Sequence, residues 1–335
     1  MGKTTIDTIE TFPGQFLTGS RLNMNALRPA IDVRNAYQRN ALLQKTEWEE
    51  IDAAVVRVAM TTLAGVQDLL DLGLVQRLGG LGTLISTYEQ LGNMSDANIS
   101  MDGETPGEED STPYSPISLP VPIIHKDFRI NIRTLEASRR LGDALDTTGV
   151  ETATRKVNET IEAMLMNGTG APKVGANQGQ GYTNKTQRIA DTAANFGGGD
   201  WGTELNPFKT VNGMVNQLAA KGYPGPYGCY AARVQYGEAT RMLTDGSGKT
   251  EIRAMLDNIV NLKFTKASDD LTAGSIVVVS LQKDVVDIAI AQDITPVQWS
   301  SMGGMVEHFK VMTAVVPRVK HDADGNAGVA HATSA

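Results

Sequence analysis

A single cysteine, Cys229, stands among 335 residues. One thiol excludes an internal disulfide and any multi-cysteine metal site, and the setting Cys229-Tyr230-Ala231-Ala232 predicts a buried, inert side chain. Histidine is nearly as scarce. His125, His308, His321 and His331 are the whole complement of four, with no pair at metal-ligand spacing and no His-Glu-x-x-His. Positive charge is in deficit: 30 Lys and Arg face 38 Asp and Glu, for a formal net charge of −8. The chain as a whole therefore does not attract nucleic acid. No run of 18 apolar residues occurs, which excludes a membrane-spanning helix and a membrane partner. The N-terminus lacks the apolar core of a signal peptide, and Ile6 stands where a myristoylation signal needs Ser or Thr. Synthesis in a cytoplasm is expected, so the sequons at Asn98, Asn158, Asn167 and Asn184 are read as chance.

Catalytic motifs are missing too. Asp245-Gly246-Ser247-Gly248-Lys249-Thr250 resembles a phosphate-binding loop, but Leu243 occupies the position that needs glycine, and a helix is expected before it where a buried strand belongs. It reads as an exposed turn capping the next helix. No Gly-x-Ser-x-Gly elbow is present. His125, in Ile124-His125-Lys126-Asp127, is expected to make a structural hydrogen bond. Glu104, Glu108, Glu109 and Asp110 lack the alternating spacing of a calcium loop and read as a solvated tip. No catalytic, cofactor-binding or metal-binding residue is assigned, and the chain is read as a non-enzyme without cofactors.

What is present is periodicity. Residues 1 to about 40 show none that is sustained and read as an extended, mildly basic arm. Thr46 with Glu49 resembles a capping box. Trp48, Ile51, Val55, Val58, Thr62, Val66 and Leu69 then follow at helical spacing, predicting one amphipathic helix ending near Gly73. Thr83–Tyr88 reads as a strand by its β-branched content, and Phe128–Arg133 alternates as a half-buried strand. A long helical region from Leu135 to Met166, broken near Asp146 to Gly149, sets Val150, Ala153, Val157, Ile161 and Met164 on one face, with Gly168 as C-cap. The glycine-rich stretch from Gly168 to Gly228 predicts loops and a flexible connection. Helices are then expected over Pro207–Ala220, Gln235–Leu243 and Thr250–Ile259, and strands over Tyr230–Val234 and Ile276–Val279. Val285–Ile290 is expected to neighbour Ile276–Val279, and His308–Pro317 is a further strand. Asp324-Gly325 predicts a type I′ hairpin turn before Gly328. This mixture without a βαβ repeat defines an α+β class.

The segment of greatest consequence runs from Tyr88 to Gly168, a two-stranded excursion that returns directly into the long helix, with the arm over residues 83–125. Its tip, Met101 to Asp110, has no apolar residue after Met101, and its returning limb, Ile117 to Ile124, carries Pro120 and Pro122. Proline removes a ladder donor, so the limb reads as an edge strand or unpaired arm. An arm of this length is expected to find its partner in a neighbouring subunit. The subunit-interface candidates are Phe12, Phe16, Leu17, Leu22, Tyr88, Met94, Tyr114, Ile117, Leu119 and Val121.

At these residues the chain resembles a known family. Thr46-Glu47-Trp48-Glu49-Glu50-Ile51-Asp52-Ala53-Ala54-Val55 is similar to the opening helix of encapsulin shell proteins. Leu119-Pro120-Val121-Pro122-Ile123-Ile124-His125-Lys126-Asp127-Phe128, with the helix running to Gly168, is similar to their arm and spine. Val277–Val279 through Ile294 resembles their late strands. Encapsulins share their fold with the major capsid proteins of tailed bacteriophages. The roughly 45 residues before the Trp48 helix, and the ending from Val316 to Val329, resemble the phage members. The resemblance implies an N-terminal arm over 1–45, a peripheral-domain helix over 46–79, an extended loop over 80–127, a peripheral domain with spine helix over 128–205, an axial domain over 206–293 and a C-terminal return over 294–335. It further implies a major capsid protein that forms hexamers and pentamers of itself in a host bacterial cytoplasm, closing an icosahedral virion shell around double-stranded DNA. An acidic wall suits that role, since one that gripped DNA would hinder packing and release. A separate scaffolding protein, a portal and a decoration protein are the implied partners, with DNA held by non-specific proximity. The alternative is an encapsulin-like compartment around cargo protein.

Overall fold

The computed structural model describes residues 9–12, 15–17, 49, 51, 53–55, 57–58, 64–91, 99, 101, 114–134, 137, 148–170, 172–175, 177–203, 205–241 and 252–334. The chain divides into two compact units. One comprises Met1–Glu50, Arg129–Asp146 and Gln298–His308, and the other Ile51–Phe128, Thr147–Val297 and Phe309–Ala335.

In the first unit, strands β1 (Ile9–Phe12) and β2 (Gln15–Leu17) pair antiparallel. A 3-10 turn at Met302–Gly304 also lies there, with Gly303 and Gly304 at positive φ. Beside it Trp299 stacks on His308 at 5.2 Å, and the Ser301 hydroxyl lies 2.7 Å from His308 Nε2.

The second unit holds the larger core. Residues 51, 53–55 and 57–58 are helical, and α1 (Gly65–Asp71) follows, ending before Gly73 at φ 69°. Ile51, Val55, Val58, Val66 and Leu69 are all buried, as their spacing predicts. The expected single helix is interrupted at Ala64, a bend. The new N-terminus is capped from a distance: the buried Glu162 carboxylate accepts the Gly65 N–H at 2.7 Å and the Val66 N–H at 3.1 Å. Glu162 belongs to α2 (Thr148–Asn167), whose predicted face, Val150, Ala153, Val157, Ile161 and Met164, is buried. Gly168 follows α2 at φ 75°, the left-handed conformation that only glycine adopts without strain.

The glycine-rich stretch is not a flexible connection. The Tyr182 and Thr183 N–H groups donate to the Leu165 and Met166 carbonyls at 3.0 and 2.9 Å, satisfying acceptors that the end of α2 leaves open. A Cβ on Gly181 would stand 2.4 Å from the Gly168 nitrogen, and one on Gly213 would stand 1.9 Å from the Phe196 carbonyl oxygen. Tyr182 and Trp201 are fully buried. Glycine is used here for close backbone approach.

A five-stranded sheet runs in the order β11 (Leu262–Ser268), β10 (Tyr227–Ala232), β12 (Ser275–Ser280), β15 (Val329–Thr333), β9 (Ile189–Thr192). β10 and β15 pair antiparallel with β12; the outer pairs are parallel. Helix α3 (Asn206–Ala220) lays Val211, Met214, Val215 and Leu218 against Cys229, Ala231, Ile276, Val278, Ala330 and Ala332. Cys229 is buried as expected, and burial pushes its thiol up to about 12. Strand β10 starts three residues before the expected Tyr230, and α4 (Arg233–Ala239) follows it directly. The next helix is shorter than expected, α5 (Ile252–Leu256), and residues 245–250 lie outside the described residues.

The second sheet has the order β3 (Val75–Arg77), β13 (Val286–Ser301), β14 (Val306–Val319), β6 (Ile123–Asn131). Two sequence expectations are corrected by it. The strand beginning at Val286 does not neighbour Ile276–Val279; β12 pairs with β10 and β15, and β13 belongs to the other sheet. The turn at Asp324-Gly325 forms, with Gly325 at φ 76°, yet it does not close a hairpin, because β14 and β15 lie in different sheets. The five-stranded sheet also crosses the segment borders expected at 206 and 294, drawing in β9 and β15.

Candidate assembly arm and its root

Strand β4 (Ile85–Leu91) pairs antiparallel with β5 (Tyr114–Pro120) as a two-stranded sheet, from Ile85 opposite Pro120 to Leu91 opposite Tyr114. Pro116 and Pro120 have the same parity, so both missing donors fall along one edge of the ladder. Pro120 and Pro122 bracket the break before β6. Side chains alternate between two faces. Ser86, Tyr88 and Leu119 are buried, whereas Ile85, Thr87, Glu89 and Pro116 are exposed.

The buried face is held by an ionic joint that the sequence reading missed. Arg318, 1 % exposed, donates through Nε to Asp287 Oδ1 at 2.6 Å and through Nη1 to the Ser86 hydroxyl at 3.0 Å, while Nη2 reaches Asp287 Oδ2 and Gln76 Oε1. Lys320 Nζ stands 2.8 Å from the same Asp287. Four strands, β3, β4, β13 and β14, thus meet at one guanidinium. The signal lay in Val286-Asp287-Ile288 and Pro317-Arg318-Val319, where one charge of each sign interrupts an apolar strand. A buried charge is kept only when paired and hydrogen-bonded. Tyr88 adds its ring to this face, with its hydroxyl 3.4 Å from His321 Nδ1. Burial pushes the Tyr88 phenol up to about 12, against the lowering effect of Arg318.

The sequence candidates now separate. Tyr88, Leu119 and Val121 are covered by their own chain, Val121 against Ala289, Ala291, Ala314 and Val316. The expectation that the excursion has no partner within its chain is therefore wrong at the root. Burying each such side chain contributes roughly 1.5–3 kcal/mol to fixing the hairpin's direction. Ile117 is half-buried beside a cavity. Phe12, Phe16, Leu17 and Tyr114 are described in backbone only; Leu22 and Met94 lie outside the described residues, as does the tip after Met101. Apolar side chains that face outward around the root include Leu84, Ile85 and Ile123, at 74, 47 and 50 % exposure. Ile85 and Ile123 have the opposite parity to their buried neighbours Ser86 and Ile124, which alternation alone had offered.

At the root the Arg318 cation and the Asp287 carboxylate bind each other, and burial holds the Tyr88 phenol neutral. Among the described residues no group of three His, Cys, Asp or Glu side chains is placed to hold a metal ion. His125 lies 3.3 Å from Asp127, the local hydrogen bond expected of it. Among the described residues no helix is long and apolar enough to cross a membrane.

A long helix, a hairpin arm and two sheets make up an α+β fold, the one shared by tailed-phage capsids and encapsulin shells. Against the virus-like particle of Pyrococcus furiosus the TM-score is 0.58, at 14 % identity over 85 % of this chain and 98 % of that one. Against the capsid of Myoviridae phage XM1 it is 0.59, at 16 % identity over 82 and 93 %. In sequence, the chain is 24 % identical over 281 residues to the type 1 encapsulin shell protein EncA of Myxococcus xanthus, spanning 83 % of this chain and 91 % of that one. Residues 35–332 match the family of unknown function DUF6260, and the chain belongs to that family.

Proposed function

We propose that this chain is a non-enzymatic shell subunit that assembles with itself, as hexamers and pentamers, into an icosahedral particle enclosing the double-stranded DNA of a tailed phage. The observation that carries the reading is the hairpin's division of labour. Its root is fixed to the body by a buried guanidinium, while Leu84, Ile85 and Ile123 stay exposed around it. A rigidly aimed arm with uncovered apolar area fits a second copy of the same chain. The residues preceding Glu49, with the β1–β2 pair among them, favour the phage reading. Assembly in a host cytoplasm, with a separate scaffolding protein, a portal and a decoration protein, belongs to it. The likeness to EncA favours a second reading, a compartment around cargo protein.

Negative-stain microscopy of the overexpressed chain tests the shell. Ile85→Asp with Ile123→Asp should leave folded, soluble subunits and abolish regular particles; unchanged particles would overturn the proposal. Nuclease-resistant DNA in particles from the native source separates the phage reading from the second, which requires enclosed protein. Deleting residues 1–40 should impair regular shells, and particles of unchanged size and stability would favour the compartment.

A further inference from the structure

Between the hairpin root and the turn pair β7 (Lys173–Val174) and β8 (Asn177–Gln178) lies a cavity of about 400 Å³. Its lining includes Lys173, Lys185 and His321, several amides and the Tyr88 ring, and among the described residues it contains no aspartate or glutamate. In a chain of net charge −8, a cavity lined with cationic groups and no carboxylate is an exception that needs a cause.

Lys185 is the centre of it. The residue is 4 % exposed, yet among the described residues no carboxylate pairs with its ammonium, and Nζ meets His321 Nδ1 alone, at 3.2 Å. A lysine ammonium has three donors, so this bond leaves two unspent. The neighbouring acid, Asp322, is engaged elsewhere: its carboxylate accepts the Asn326 N–H at 2.7 Å and the Tyr223 hydroxyl at 3.1 Å. Burial without a counter-charge pulls the Lys185 ammonium down to about 8, and His321 is lowered by burial and by Lys185. Cations buried in proteins are paired; this one is paired only with a neutral ring. A second wall group is also unsatisfied. Among the described residues no donor reaches the buried Gln187 Oε1.

We propose that this cavity is a binding site for a small oxyanion, which accepts hydrogen bonds from the Lys185 ammonium and presents an O–H or N–H to Gln187 Oε1. Hydrogenphosphate has both features in one molecule.

The full-length chain, in phosphate-free buffer, is titrated with inorganic phosphate and followed by calorimetry and phosphorus NMR. Saturable binding is expected, weakened about tenfold or more by Lys185→Gln, since a charged donor is lost from a buried site. Gln187→Leu, at a wall position that anchors no ion pair, should weaken binding with an unchanged circular dichroism spectrum. This keeps the proposal testable if Lys185→Gln fails to fold. Absence of saturable binding, or binding that Lys185→Gln and Gln187→Leu leave unchanged, overturns the proposal.

Discussion

The hairpin root and the five-stranded sheet solve the same problem, fixing strands against one another, by opposite means. In the sheet, β12 buries all six of its residues, and Ile276 and Val278 on one face meet α3 through apolar contact alone. Loss of a methyl group there costs in proportion to the void it leaves. At the root, one guanidinium joins Gln76, Ser86 and Asp287 from three other strands. Such a joint contributes little against an apolar replacement, but it is costly to break from one side, because the abandoned charge stays buried. In the sheet, register is set by which side chains each face buries. A bidentate pair has one geometry, so it specifies the direction in which the arm leaves the body.

The sharpest way to break that contrast is Arg318→Ala. It should destabilise the unassembled subunit by about 3–5 kcal/mol in denaturant titration. Asp287→Leu combined with Arg318→Met should recover most of that loss while leaving the arm poorly aimed, visible as folded protein that assembles badly. If the double variant is as unstable as the single one, the root is held by packing and the contrast with the sheet disappears.

A smaller effect separates the charge at the root from the charge beside it. The Lys185 ammonium is depressed to about 8 in the fold and titrates near 10.4 when unfolded. Below pH 8 both states hold the proton and the folded state carries the full burial penalty. Between pH 8 and 10 the unfolded state binds more protons, so stability attributable to this group rises with pH, by up to about 3 kcal/mol. Lys185→Met should remove that rise. Equal pH dependence in the two proteins between pH 7.5 and 10 would contradict the buried, unpaired state of the lysine.

Legibility in the sequence followed the range of the interactions. Helix α2, its stop at Gly168 and the strand at Ile276–Val279 were readable because periodicity and a cap are local. β11 alternates Leu262, Lys263 and Phe264 and was overlooked, although its pattern was there to find. The partner of β13 was not readable. Val286–Ile290 and Ile276–Val279 are equally apolar, and nothing local says that one pairs with β14 and the other with β15. Glycine misled for a different reason. Composition counts Gly181, Gly198 and Gly213 as looseness, whereas each marks a place where a backbone or helix comes too close for a Cβ. At the arm, the two limbs and their prolines were legible; the root was not, since Asp287 and Arg318 are 31 residues apart and acquire meaning only when two strands align.

Two glycine substitutions give the smallest expected effects and bear on the sheet side of the comparison. Gly213 lies within α3, and the Cβ of Gly213→Ala would stand 1.9 Å from the Phe196 carbonyl oxygen. That atom is backbone and cannot swing aside, so the helix must shift from the sheet it covers, at a cost of about 1–3 kcal/mol. Gly237 sits in α4, exposed, with open space where a Cβ would go. Gly237→Ala should therefore stabilise the subunit by about 0.4–1 kcal/mol, through lost freedom of the unfolded chain and better helix propensity. Opposite signs for the same chemical change, measured as denaturant midpoints at constant slope, are what close packing requires. Equal and favourable effects at both positions would return Gly213 to the status of a flexible residue and reinstate the loose connection that composition implied.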